Sequence, residues 1–222
     1  MTAASIAPPT RVIVLGAGGN CRDIVDAMLD VNRASSSPVF EPLGYLDDDP
    51  AKLGAVFGGV PVLGPLASWT EHADASFVNG VNGVELTART GQILGDLGIP
   101  SERWTNVIHP SAVVSTMATL GTDVVLLANV TVNSDARIGD HVMVLPNSVI
   151  SHDDVIDDHC YLTPGVVLAG YVHLEQGVYI GAGASVRHRV TVGAGAVVGM
   201  GSVVLTDVPA GSTVAGNPAR AL

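Results

Sequence analysis

In the second half of this 222-residue chain an aliphatic residue recurs at every sixth position. The run is Val114, Leu120, Leu126, Val132, Ile138, Val144, Ile150, Ile156, Leu162, Leu168, Leu174, Ile180, Val186, Val192, Val198 and Val204, without an exception. Two residues before each lies a second register of small or β-branched residues: Ala112, Ala118, Val124, Val130, Ala136, Val142, Ser148, Cys160, Val166, Val172, Val178, Ala184, Val190, Ala196 and Ser202, broken once, by Asp154. A period of six fits neither the 3.6-residue turn of a helix nor the heptad of a coiled coil. A fixed short period marks a solenoid, in which each unit packs only on its neighbours. Six residues suit one short strand and a tight turn, and three such units close a triangular coil. The aliphatic is then expected to fill the prism, while the small residue lets the chain turn its corner.

The composition suits a core of many thin layers: aromatics are 4% of the chain, and there are 26 glycines. A net charge of −11 argues against nucleic acid, which needs clustered Lys and Arg. No apolar run approaches the ~18 residues of a membrane span. The start, MTAASIAPP, lacks the basic and apolar segments of a signal peptide, so residues 1–10 read as a leader and the expected location is the cytoplasm. Cys21 and Cys160 form neither a disulfide framework nor a metal pattern, and no metal is expected.

Residues 11–107 read as a small Rossmann-like α/β domain with a parallel sheet. Arg11–Leu15 is a buried strand, Gly16–Asn20 a glycine-rich turn, and Cys21–Val31 a helix. Strand, turn and helix N-terminus make a geometry that can receive a phosphate. The turn has no third glycine of a full dinucleotide fingerprint. Pro42–Leu46 ends in Asp47-Asp48-Asp49, carboxylates suited to a diol or simply an acidic turn; Ala75–Val78 ends in Asn79-Gly80. A helix over Val84–Leu97 and a strand over Trp104–Ile108 complete about four strands, with three loop ends on one side. The prism spans 108–208, and 209–222 form a tail capping it.

The repeat resembles the hexapeptide-repeat transferases, whose fold is a left-handed parallel β-helix. With the domain before it, the whole chain resembles the sugar acyltransferases that N-acetylate UDP-4-amino-4,6-dideoxy sugars, relatives of the sialic acid O-acetyltransferases. The resemblance implies an acetyl-CoA-dependent N-acetyltransferase, a homotrimer with CoA between adjacent prisms. It assigns nucleotide-sugar contacts to Gly18, Gly19, Asn20, Asp47, Asp48 and Gly80. It assigns CoA contacts to Gly170, to Tyr161, Ala182 and Met200 along one edge, and to Pro218 and Arg220 in the tail; Arg187 and Arg220 are candidates for the CoA phosphates. Two positions depart from the family pattern: Asn20 and Tyr161 stand where histidines are usual.

Transfer of an acetyl group to an amine needs a base, a donor for the thioester carbonyl and in-line placement. Of seven histidines, His152 stands out. It follows the interior Ile150 by two residues, so it leaves the prism at a corner, and Asp153 and Asp154 follow it as candidates to orient it. One coil further on is Gly170, which should lie beside it at the ~4.8 Å strand spacing and leave room for a thioester. The resemblance independently places the base at His152, its carboxylate at Asp153 and the carbonyl donor at Gly170. Cys160 fills an interior slot, so direct transfer is expected over an acyl-cysteine route. A zinc-dependent carbonic anhydrase on the same solenoid is disfavoured, because no two histidines are five residues apart. A dinucleotide oxidoreductase lacks a hydride-transfer site. O-acetylation of a sugar hydroxyl and a non-catalytic nucleotide-sugar-binding protein remain as alternatives.

Overall fold

The computed structural model describes residues 8–222, apart from the side chains of Thr87 and Ala88. Residues 1–7 of the expected leader lie outside the described residues. The first domain is a five-stranded sheet built from β1 (Thr10–Leu15), β2 (Phe40–Leu46), β3 (Val56–Phe57), β4 (Val60–Gly64) and β5 (Ser76–Asn79), in the order β3-β4-β2-β1-β5. β4, β2, β1 and β5 run parallel, and β3 is an antiparallel edge. Between β1 and β2 lies α1 (Gly19–Ala34), which buries Cys21, Ile24, Val25, Ala27 and Met28 on one face. After β5 comes α2 (Thr87–Leu97), ended by Gly98 in the left-handed conformation.

The fourth parallel strand is β4, not Trp104–Ile108. Pro61, the second residue of β4, and the glycines before it hide that strand in the sequence. Trp104 makes only an isolated bridge to Phe77. Val107–Ile108 instead pairs with Val125–Leu126 and opens the prism. Ile108 is six residues before Val114, so the hexad begins one unit earlier than the run that starts at Val114.

The prism has three parallel faces of two-residue strands, and each expected aliphatic from Val114 to Val204 is the second residue of its strand. The first face runs from Val113–Val114 to Val203–Val204, the second from Thr119–Leu120 to Thr191–Val192, and the third from Val107–Ile108 to Val197–Val198 and on into Thr213–Ala215. Partners are 18 residues apart, as in Val132 with Ile150. The small register also points inward: Val124, Val130, Ala136, Val142 and Cys160 are fully buried beside the aliphatics in one cluster. The turn is made instead by the residue before, which takes positive φ at every corner from Asp123 to Gly201. Asp, Asn, His and Gly, the residues that tolerate this conformation best, fill it except at Tyr171 and Arg189.

The last coil is two residues shorter, pairing Val192 with Val208 and Val198 with Val214. The hexad therefore fails past Val204 while the coil continues. Arg220–Ala221 then folds back antiparallel on Val214–Ala215 and closes the prism end. The α/β domain sits on the third face, where Val125, Leu127, Met143, Leu145 and Tyr161 share a buried cluster with Ile24, Val25 and Met28 of α1. Asp30 meets His109 across this junction at 2.9 Å.

Candidate functional site

Two separate regions carry the expected residues. The first lies at the C-terminal ends of β1, β2 and β5, where a cavity of about 390 Å³ is lined by Gly16, Gly18, Asp47, Asp48, Gly80 and Asn82, among others. The three loop ends therefore converge as their sequence implied. Asp47 organises them. Its carboxylate accepts from the Ala17 amide at 2.7 Å, the Asp49 amide at 2.9 Å and Lys52 Nζ at 2.8 Å. Burial pushes its pKa up, but the Lys52 ammonium and the two amides outweigh burial and hold the carboxyl below its usual range. Asp48 accepts from the Leu66 amide at 2.8 Å. Gly80 has a packing reason beside any contact role: a Cβ there would stand 2.5 Å from Cys21 Sγ and 2.9 Å from the Leu15 carbonyl. Gly19 and Asn20 are not in the lining. Lys52, which the sequence reading passed over, is, and it is the only lysine of the chain.

Asn20 turns the other way and donates to the Tyr161 hydroxyl across the domain junction. The two positions that depart from the family pattern are therefore partners. Burial pushes the Tyr161 hydroxyl up to about 12, so it stays protonated.

The second region is the corner between the first and second faces. There His152 is half exposed, and its Nδ1 lies 2.8 Å from Asp153 Oδ2. That bond leaves Nε2 as the free ring nitrogen. Gly170 stacks over the ring: a Cβ on it would be 3.1 Å from His152 Cε1 and Nε2, and its φ of +88° suits glycine. The Tyr171 ring meets the imidazole edge to face, with centroids 5.2 Å apart, and the Arg189 guanidinium lies 4.6 Å over the Tyr171 ring. Asp154 is not the imidazole's hydrogen-bond partner. It is fully buried inside the corner and accepts from the Ser151 and Val172 amides.

The remaining expected CoA contacts do not share one edge. Ala182 and Met200 stack 18 residues apart on the corner between the third and first faces, Met200 strongly exposed. Tyr161 lies on the third face itself, paired with Tyr179. Pro218 and Arg220 belong to the closing tail, and Arg220 Nη1 bonds the Ala219 carbonyl. Arg187 lies one coil beyond Ala169, on the corner of His152. His159 packs in parallel on His141 at the third corner, with centroids 5.0 Å apart, away from both regions. His141 in turn bonds the buried Asp123 at 2.8 Å, and Asp123 accepts from the Asn79 amide at 2.9 Å, holding the end of β5.

The family model described as bacterial transferase hexapeptide (six repeats) matches residues 171–206. No curated protein matches the chain. Among solved structures, PerB from Caulobacter crescentus, in complex with CoA and GDP-perosamine, is 31% identical with a TM-score of 0.80, covering 99% of this chain and 100% of that one. The acetyltransferase domain of PglB from Neisseria gonorrhoeae, in complex with acetyl coenzyme A, is 28% identical with a TM-score of 0.83, covering 97% and 100%. WeeI from Acinetobacter baumannii is 27% identical with a TM-score of 0.78, covering 96% and 100%. The shared fold is an N-terminal α/β sheet followed by a left-handed β-helix.

Proposed function

This chain belongs to the hexapeptide-repeat sugar acyltransferases and is an acetyltransferase, and on that premise we propose that it N-acetylates a nucleotide-linked amino sugar with acetyl-CoA. The observation that carries the reading is the His152–Gly170 pair, an imidazole whose Nε2 has no hydrogen-bond partner among the described residues, beside a glycine where a Cβ would stand 3.1 Å from that nitrogen. PerB was solved with CoA and GDP-perosamine, and PglB with acetyl-CoA, over nearly the full length aligned here. A UDP- or GDP-linked 4-amino-4,6-dideoxy sugar is the proposed acceptor class.

In this reading the neutral amine attacks the thioester carbonyl. The new C–N bond forms, the C–S bond breaks, and the amine's proton passes to His152 Nε2 and on to the departing CoA sulfur. Asp153 holds the tautomer with the proton on Nδ1 and steadies the imidazolium. The Gly170 peptide is the candidate donor for the carbonyl oxygen. Arg187 and Arg189, one coil beyond Ala169 and Tyr171, supply cations for the CoA phosphates on an otherwise acidic chain. In the cavity, Lys52 and the helix N-terminus at Gly18 suit a diphosphate.

Geometry also supports assembly. The α/β domain covers the third face, whereas His152 stands on the corner opposite it, between the other two faces. A sugar bound in the cavity therefore meets His152 of a neighbouring copy, as a trimer would provide. Val113, Val167 and Tyr171, exposed on or beside the first face, suit burial between prisms.

The test is release of free CoA from acetyl-CoA with a panel of UDP-, dTDP- and GDP-linked 4-amino sugars, with sialic acid alongside. Turnover with one nucleotide amino sugar is expected. Turnover only with hydroxyl acceptors would overturn N-acetylation in favour of O-acetylation.

A further inference from the structure

We propose that Asp154 is a positioning residue for this transfer, a buried carboxylate that locks the turn carrying His152 to the turn carrying Gly170. The inference rests on the reading of His152 as the base.

The repeat itself makes Asp154 conspicuous. Its slot points into the prism and otherwise holds Ala, Val, Ser or Cys from Ala112 to Ser202. A carboxylate with no exposed surface is expensive there unless its oxygens are fully bonded. Each oxygen has a backbone partner, which offsets part of that cost: Oδ2 accepts from the Ser151 amide at 2.7 Å, closing its own turn from inside. Oδ1 accepts from the Val172 amide at 2.8 Å, gripping the turn above. Ser151 precedes His152, and Val172 follows Gly170 and Tyr171, so the two arms bracket the site.

Ser148 shows what the slot does without this arrangement. Its hydroxyl accepts from the Val166 amide at 3.2 Å, the same link to the next coil, and donates to the Thr163 carbonyl. A serine thus supplies the tie between coils, whereas Asp154 adds the closure of its own turn and strengthens both bonds with charge. Outside the prism the two turns meet once more, the Tyr171 amide donating to the His152 carbonyl at 3.1 Å. The His152 turn is therefore pinned from both sides, which a base needs when small misplacements are costly.

The charge is also placed to act. Burial pushes the Asp154 carboxyl up to about 6, while the Val172 and Ser151 amides, then the His152 charge and the Gly170 amide, pull it down. An imidazolium forming on His152 thus has one carboxylate at its side, Asp153, and a second beneath it.

Asp154→Ala should fold, because alanine fills the same slot at Ala118, Ala136, Ala184 and Ala196. We expect kcat to fall by ~10–100-fold with the KM for acetyl-CoA unchanged, and Asp154→Ser to recover part of the loss. On a His152→Ala background, Asp154→Ala should cost nothing further, because both act through one group. The imidazole ¹⁵N resonances of His152, assigned by their absence in His152→Gln, should shift in Asp154→Ala without substrate. Unmoved resonances would overturn the proposal even if no acceptor is ever turned over. So would wild-type turnover in Asp154→Ala, or an undiminished loss on the His152→Ala background. Absence of wild-type turnover across the acceptor panel, with the resonances shifted, would sink the N-acetyltransferase reading while leaving the hold of Asp154 on the His152 imidazole established.

Discussion

In the β-helix a residue's neighbours follow from arithmetic, i beside i+18, and the whole interior is one aliphatic cluster. In the α/β domain the neighbours come from chain segments far apart, and the cavity is walled by the ends of three strands with turns between them. A charged group in the inward register is an interruption of the pattern, so a side chain placed there for more than packing is found where the rule breaks, as at Asp154. In the sheet domain the ends of regular strands are already polar and already converge, so no single residue announces the site. If this contrast is right, substitutions at the prism corner should act on the rate, and substitutions at the strand ends on binding.

The largest effect is expected for His152→Ala: turnover should drop ~10²–10⁴-fold while acetyl-CoA affinity, measured by calorimetry, stays as it was. An almost unchanged rate would remove His152 as the base and with it the corner's claim to the chemistry. Next is a change that tests the junction between the two regions. Asp123 is fully buried, pairs with His141 and holds the Asn79 amide. Asp123→Ala leaves the histidine without its carboxylate and should destabilise the fold by about 3 kcal/mol at neutral pH. Chemical denaturation reads this directly, and a loss below about 1 kcal/mol would mean that the junction does not depend on the pair.

Gly170→Ala comes third. The new methyl would press on the His152 ring at 3.1 Å, and φ of +88° is unfavourable for alanine. We expect a ~10–100-fold fall in kcat with a smaller loss of stability. A loss in stability alone would show that the ring can move aside without cost.

Asp154 also gives a pH dependence whose sign can be fixed. Its folded-state pKa, about 6, lies above the ordinary carboxyl value of 3.8, so folding favours its protonated form. Its contribution to stability is therefore full below about pH 4 and is lost as pH rises through about 6. The stability of the wild type relative to Asp154→Ala should increase as pH falls from 7 to 4, by up to roughly 3 kcal/mol. A flat difference across that window would mean that the two amide bonds fully offset the burial.

The same contrast explains what was legible. Register, core and the His152–Gly170 stacking follow from a period of six, because coil geometry converts sequence distance into contact. The prism boundary at 108 is legible, but the strand Val107–Ile108 reads as the last of the sheet because it precedes the run that starts at Val114, and the shortened last coil breaks the spacing. Asp154 was visible as an exception, but whether it or Asp153 held the imidazole depended on which side chain points inward. In the α/β domain the three loop ends were legible as turn signals after strands. Lys52 and β4 were not, since Pro61 disguises the strand and nothing in the local sequence ties Lys52 to Asp47. The resemblance makes Gly80 a ligand contact, whereas its closeness to Cys21 is a packing constraint that only the crossing of β1, β5 and α1 creates.

The smallest effect falls where the two regions touch. Asn20 lies in the first turn of α1 beside the cavity, and Tyr161 stands on the third face of the prism; their hydrogen bond is one of several polar ties across the junction, beside Asp30–His109 and Asn79–Asp123, set in an apolar contact. Tyr161→Phe removes the hydroxyl but keeps the ring against Tyr179 and α1, so the cost should be about 1 kcal/mol, the net value of one hydrogen bond. The Asn20 amide is then free to turn, and the loop from Gly16 to Asn20 loses one of its anchors, while the Ala17 amide stays on Asp47. Binding of the nucleotide sugar should weaken by roughly two- to fivefold, the equivalent of that lost bond, while acetyl-CoA binding is unaffected. Should Tyr161→Phe weaken acetyl-CoA instead, Tyr161 would belong to the CoA groove, as the family resemblance implies, and the division between rate at the corner and binding at the strand ends would have to be redrawn through the third face.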